Sequence, residues 1–282
     1  MIANNFRIGF MQGRLSPLVN GKIQAFPVNY WQKEFLAANK IDIRLMEWTL
    51  DQDGLYGNPL MTKSGRFKIL SLMSKYNISI PSLTGDCFMQ KPFWKASDSD
   101  RRGLENIFFD VIDACFLLKI SNITIPLVDN GNLENDHQEK DLISFFSNIS
   151  NFLSQKKINI AFESDFPPNK LAKLIEKLSP DTFGINYDIG NSASLGFDPV
   201  EEFISYGKRI INVHVKDRML NGGTVPLGAG NADFPIVFGL LSKFQYKGNF
   251  ILQTARAKNN DHCAVIELYK NMILDWMINY NE

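Results

Sequence analysis

Residues 183–217 read FGINYDIGNSASLGFDPVEEFISYGKRIINVHVKD, and they hold the repeating unit from which the chain is built. The stretch opens on a short apolar run, Phe183 to Asp188 (FGINYD), that stops abruptly at a carboxylate. Asp198, Pro199 and Glu201 then give the start signals of a helix: an acceptor for free backbone N–H groups, a proline suited to the first turn, and an acid beside the positive helix end. A second apolar run, Ile210 to Val215 (IINVHV), carries His214 and is followed by Lys216 and Asp217. Strand, helix, strand in that order predicts two parallel strands joined by a crossover.

The same alternation extends in both directions. The remaining strand candidates are Phe6 to Met11, Ile41 to Trp48, Asn77 to Leu83, Ile120 to Val128, Lys157 to Glu163 and Asn249 to Gln253, which makes eight. Between them apolar residues recur at steps of three and four, as in Leu104, Ile107, Phe108, Val111, Ile112, Cys115 and Leu118. Leu142, Phe145, Phe146, Ile149, Phe152 and Leu153 repeat the period, and a last helix is expected to start at Asp261. No linker or shift in composition divides the chain, so the expectation is an α/β fold, a single (β/α)8 TIM barrel over residues 1–282. The open doubly wound sheet is disfavoured because the first strand leads into Gln12-Gly13-Arg14-Leu15-Ser16-Pro17 and not into a GxGxxG phosphate cradle.

Composition removes other classes. The 282 residues carry 30 basic and 30 acidic side chains, a balance that lacks the basic face needed to grip nucleic acid. No leader-like segment or long uncharged apolar stretch occurs, so a cytoplasmic protein without a membrane span is expected. Cys87, Cys115 and Cys263 are far apart and form no CxxC pair, which argues for free thiols.

In a barrel of this kind the chemistry gathers where the strands end. Arg14 follows strand one, Glu47 ends strand two, Asp86 follows strand three, Glu163 ends strand five, Asp188 ends strand six, His214 and Lys216 close strand seven, and Gln253 and Arg256 close strand eight. A lone histidine in an apolar strand is ordinarily a hydrogen-bonded core residue. Its alignment with Glu163 and Asp188 instead favours a site for Mn²⁺, Co²⁺, Zn²⁺, Fe²⁺ or Mg²⁺, which imidazole and carboxylate oxygens suit.

At these residues the chain resembles the sugar phosphate isomerase/epimerase superfamily of xylose isomerase-like TIM barrels. The resemblance runs over nearly the whole length and rests on GFMQGRLSP, LMEW, YDIGN, HVKDR and VPLGAGNADF. It implies one divalent metal held by Glu163, Asp188, His214 and the strand-eight residue, with a small sugar, sugar phosphate or polyol as substrate and an ene-diolate on the path. It also implies a dimer or tetramer as a reasonable expectation. Two glutamates work on opposite faces of the substrate in the epimerases of that superfamily, whereas here the strand-eight position is Gln253. An amide ligates a hard cation but accepts no proton at neutral pH, which leaves Glu163 as the base of single-base isomerisation. Glu47 and Asp86 are the candidates for a second base. The superfamily's histidine three residues after the strand-six aspartate is Asn191 here, so substrate identity does not transfer. Arg14, Lys216 and Arg256 are candidates to clamp a phosphate or carboxylate, with salt bridges to Glu47 or Asp217 as the alternative. Phe10, Trp48, Phe88, Phe93, Trp94 and Phe166 wall the same end or pack beneath it, and Thr84 to Asp100 is long enough for a lid or an oligomer contact. A metabolite-binding barrel without catalysis and a related dehydratase are the competing functions. An abasic-site endonuclease is disfavoured, because three histidines cannot build a multinuclear zinc site.

Overall fold

A computed structural model describes residues 7–280. Eight parallel strands close on themselves: β1 (Ile8–Met11), β2 (Leu45–Thr49), β3 (Ser79–Thr84), β4 (Asn122–Leu127), β5 (Asn159–Ser164), β6 (Phe183–Asp188), β7 (Ile210–Val215) and β8 (Asn249–Leu252). Each pairs with the next in chain order, and β8 pairs with β1. The fold is a (β/α)8 barrel, as the alternation of apolar runs requires. Phe6, expected to open the first strand, lies outside the described residues.

The last three strands start where expected, whereas β2, β3, β4 and β5 start two to four residues further in, for a shared reason. Asn77 and Lys157 end the preceding helices in the left-handed conformation, with φ of 52° and 56°, and Lys119 does the same at 60° before β4. Asp42, at φ 52°, follows the first helix in the same way. A left-handed residue reverses the chain sharply from helix to strand, which keeps the connection short at roughly 1–2 kcal/mol for a residue other than glycine. Apolar content alone cannot separate such a residue from the first position of a strand.

Both anticipated helix starts are present. Asp198 accepts the N–H of Val200 ahead of Pro199, and Asp261 accepts that of Ala264 at the head of His262–Asn279. The stretch from Thr84 to Asp100 is no loose lid. It forms a short helix (Asp86–Gln90), a turn (Phe93–Lys95) and the start of the helix Asp98–Leu118, with Phe88, Phe93 and Trp94 buried. The other aromatic candidates, Phe10, Trp48 and Phe166, are buried as well. No helix among the described residues is long and apolar enough to cross a membrane.

One aromatic cluster ties the helical layer to the barrel. Phe146 lies 5.6 Å from Phe108 on the neighbouring helix, 5.2 Å from Phe162 on β5 and 5.7 Å from Phe183 on β6. Its side chain is fully buried, so truncation removes ring contacts on three elements at once. Phe146→Ala is expected to lower stability by about 3–5 kcal/mol in urea denaturation, with an unchanged slope.

Candidate metal centre

The strand period of two decides which side chains enter the barrel, and the parallel register decides which of them meet. Asp188 and His214 are direct cross-strand partners on β6 and β7. Glu163, next to last on β5, completes a buried trio whose ligand atoms lie within 4.8 Å of one another. Gln253 is the first residue past β8, still tied to the sheet by its N–H to Val215 O.

One layer deeper lies a polar floor. Glu47 on β2 is fully buried, and its Oε1 stands 2.7 Å from His214 Nε2. Its Oε2 accepts from Ser82 Oγ and Asn212 Nδ2 at 2.7 and 3.0 Å. Asn212 also donates to Asn186 Oδ1, and Asn186 Nδ2 donates to Glu163 Oε2 at 2.7 Å. Glu47, expected at the substrate end, does not line the cavity that opens above the site. It sits beneath the site and fixes the imidazole, leaving Nδ1 toward Glu163 Oε2 at 3.2 Å. Asn186 and Asn212 were missed in the sequence, although each stands two residues before Asp188 or His214, on the same face of its strand.

Charge within this cluster is finely opposed. Burial pulls the His214 pKa down, but the charges of Glu47 and Glu163 and their hydrogen bonds outweigh it and push it up to about 10. Burial raises Glu163, yet the hydrogen bond and charge of His214, with Lys216, leave it below the usual carboxylate range. Asp188 goes the other way, because burial outweighs the charge of Lys216. Its Oδ1 accepts the N–H of Asn191 at 2.9 Å, capping the helix Ile189–Leu195. Its Oδ2 accepts no well-formed hydrogen bond and is faced by Lys216 Nζ at 2.5 Å. A buried carboxylate oxygen answered only by a cation suits a metal site.

Above the trio opens a cavity of about 520 Å³. Asp86, Asn191, Lys216 and Gln253 line it together with Glu163. Asn191 Nδ2 holds Glu163 Oε1 at 2.8 Å, and Arg218 Nη1 holds Asn191 Oδ1 at 2.9 Å. Burial lifts the Asp86 carboxyl to about 7 in spite of a 2.6 Å hydrogen bond from Gln24 Nε2.

Arg14 and Arg256 do not line the cavity. Arg14 donates to Ile23 O and to Gln24 Oε1, and Arg256 donates to Ser16 O and Ile23 O. Both guanidinium groups are engaged by these oxygens, and no ion pair of either with Glu47 or Asp217 forms among the described residues. They hold the loop after β1 across the mouth, so that Gln24 reaches in to accept from Gln253 Nε2 at 2.6 Å. Gln24 gave no signal in the sequence, since it lies in an aperiodic loop and reaches the site only by folding back. Glu34 anchors the start of the same loop, accepting the N–H groups of Gly13 and Leu15. Asp217 receives those of Gly228, Gly230 and Ala232, which explains why HVKD and the glycine loop occur together. A Cβ on Gly230 would lie 2.2 Å from Asp217 Oδ1.

The family model of the xylose isomerase-like TIM barrel matches residues 35–272. The chain belongs to that family. Among curated relatives it is 24% identical over 273 residues to the SgbU protein of Haemophilus influenzae, which bears the provisional name L-ribulose-5-phosphate 3-epimerase, covering 90% of this chain and 94% of that one. Among solved structures it superposes on D-allulose 3-epimerase from Methylomonas sp. in complex with D-allulose, at a TM-score of 0.74 and 13% identity, covering 96% of each chain. It also superposes on a xylose isomerase-like barrel from Mycobacterium smegmatis in complex with magnesium, at 0.72 and 14%, covering 99% of this chain and 98% of that one. The resemblance to sugar phosphate isomerases and epimerases read from the motifs is borne out.

Glu47→Gln removes the charge that most raises His214. In NMR titration of the imidazole, its pKa is expected to fall from about 10 toward the ordinary value, while Glu47→Asp retains part of the upward shift.

Proposed function

We propose that this barrel is a metal-dependent isomerase or epimerase acting on a small sugar, sugar phosphate or polyol through an ene-diolate. The observation that carries the reading is the buried cluster of Glu163, Asp188 and His214, whose Glu163 lines a cavity on the C-terminal side of the strands. These three residues would hold one divalent cation, with the Gln253 amide oxygen as a neutral fourth donor. Such an ion would supply Lewis-acid polarisation of a carbonyl and its neighbouring hydroxyl, which acidifies the C–H between them.

The protein's own part is proton handling and orientation. Glu163, kept ionised by His214 and Lys216, takes the proton from carbon and returns it. Asn186 and Asn191 grip its two oxygens and aim it, so its position does not depend on the metal alone. Gln253 cannot serve as a base. For a second proton-handling group we assign Asp86, which lines the cavity and whose carboxyl near 7 is partly protonated at neutral pH. A shuttle by Glu163 on one face yields aldose–ketose isomerisation, and participation of Asp86 would extend the chemistry to inversion.

Metal content of the purified protein by mass spectrometry, with His214→Ala in parallel, tests the centre. One equivalent in the parent and none in the variant is expected. A parent that takes up no divalent ion would move a metabolite-binding barrel to first place. Because coordination through Nδ1 requires loss of a proton held up to about 10, Mn²⁺ affinity is expected to weaken as pH falls. The slope should approach tenfold per unit between about pH 8.5 and about pH 6.5.

Once a substrate is found in a panel of sugars and sugar phosphates, product mass separates isomerisation, which conserves it, from dehydration, which does not. Glu163→Gln is expected to lower kcat by about 10³-fold and Asp86→Asn by about 10²-fold. Full activity in Glu163→Gln would remove it as the base.

A further inference from the structure

Lys216 stands in an unusual place for a cavity lysine. Its Nζ lies 2.5 Å from Asp188 Oδ2 and 3.0 Å from Gln253 Oε1, so one ammonium bridges two of the four groups named above as metal donors. The stem is seated against Gly190, where a Cβ would come within 2.8 Å of Lys216 Cγ and 3.0 Å of its Cβ. Only a residue without a side chain leaves room for the lysine to run along the first turn of the helix Ile189–Leu195. Lys216 is buried, yet it also lines the cavity, so a change of rotamer moves its head from one environment to the other.

A divalent ion bound through Asp188 Oδ2 would stand close to the ammonium that lies 2.5 Å from that oxygen and repel it, and the neutral amide at position 253 adds no charge to offset the repulsion. The lysine's charge is compact and its four-carbon stem has several rotamers, so expulsion costs the ion pair and the hydrogen bond to Gln253. The free volume lies above the site, in the 520 Å³ cavity where a substrate oxygen would sit.

From this geometry, and resting on the metal-centre reading, we infer that Lys216 is a displaceable internal counter-ion: it neutralises the Asp188–Gln253 side of the site, is expelled when a divalent ion enters, and only then presents its ammonium to the substrate cavity. Metal loading thereby arms a substrate-binding cation and sets the order of events, metal before substrate.

The test is a Mn²⁺ titration of the full chain by calorimetry, with wild type, Lys216→Met and Lys216→Gln at one pH. It is paired with acetic anhydride labelling of wild-type lysines read by mass spectrometry with and without Mn²⁺. Both variants are expected to bind Mn²⁺ at least about tenfold more tightly than wild type, because a buried competing ion pair is gone. Lys216 labelling should rise on adding Mn²⁺ while labelling of the exposed Lys68 does not change. Lys216→Gln keeps a polar partner for Asp188, so it reports even if Lys216→Met does not fold. Equal or weaker Mn²⁺ binding in the folded variants, or Lys216 labelling indifferent to Mn²⁺, overturns the inference and leaves the metal centre standing. Absence of Mn²⁺ binding in all three proteins overturns both.

Discussion

The contact between His214 and Glu47 in the barrel interior is the constraint on which the site rests. A histidine and a carboxylate with almost no solvent exposure lose most of their hydration, and their attraction repays that loss only if the remaining lone pairs and protons are answered. Here Ser82, Asn212 and Asn186 answer them, and the chain of hydrogen bonds runs on to Glu163. The imidazole is therefore held in one orientation by groups that never reach the cavity. Loss of one partner would strand a buried charge, and Glu163 and Asp188 above would lose their common reference.

The mouth of the barrel is built on a similar rule, with buried ions gripping main chain. Glu34 takes two N–H groups of the turn after β1, and Asp217 takes three from the glycine loop after β7. Arg14 and Arg256 take carbonyl oxygens of the segment between residues 16 and 23. Each arrangement exchanges hydration of a charge for several directed hydrogen bonds, which makes irregular backbone rigid without secondary structure. GRLSP and HVKD with PLGAGNADF are the sequence traces of these anchors.

Much of this was legible in the sequence because parallel barrel strands are short, apolar and interrupted at one end by polar residues. Eight such runs foretold eight strands, and the polar ends of FESD, YDIG and HVKD foretold the buried trio. Two kinds of feature escaped. Where a helix hands over to a strand, left-handed residues such as Asn77 and Lys157 are polar like the residues that open the strands, Ser79 and Asn159, so hydropathy does not mark the boundary. Long side chains at strand ends have several places to go, and sequence does not say which. Glu47 turned down into the barrel to meet His214, and Arg14 and Arg256 turned aside to backbone carbonyls. Gln24, more than 60 residues from Asp86 and more than 200 from Gln253, meets both only through the closure of the barrel.

The strap that delivers Gln24 hangs between β1 and the first helix and contributes no strand to the barrel. Its guanidinium anchors grip the main-chain oxygens of Ser16 and Ile23, and Arg14 also holds the Gln24 side chain. Gln24 is the strap residue that lines the cavity, so a change at that one position would alter the pocket wall while the barrel strands stay as they are. The edge of the pocket and the layout of the strands are thereby drawn from separate parts of the chain, and one can vary without the other.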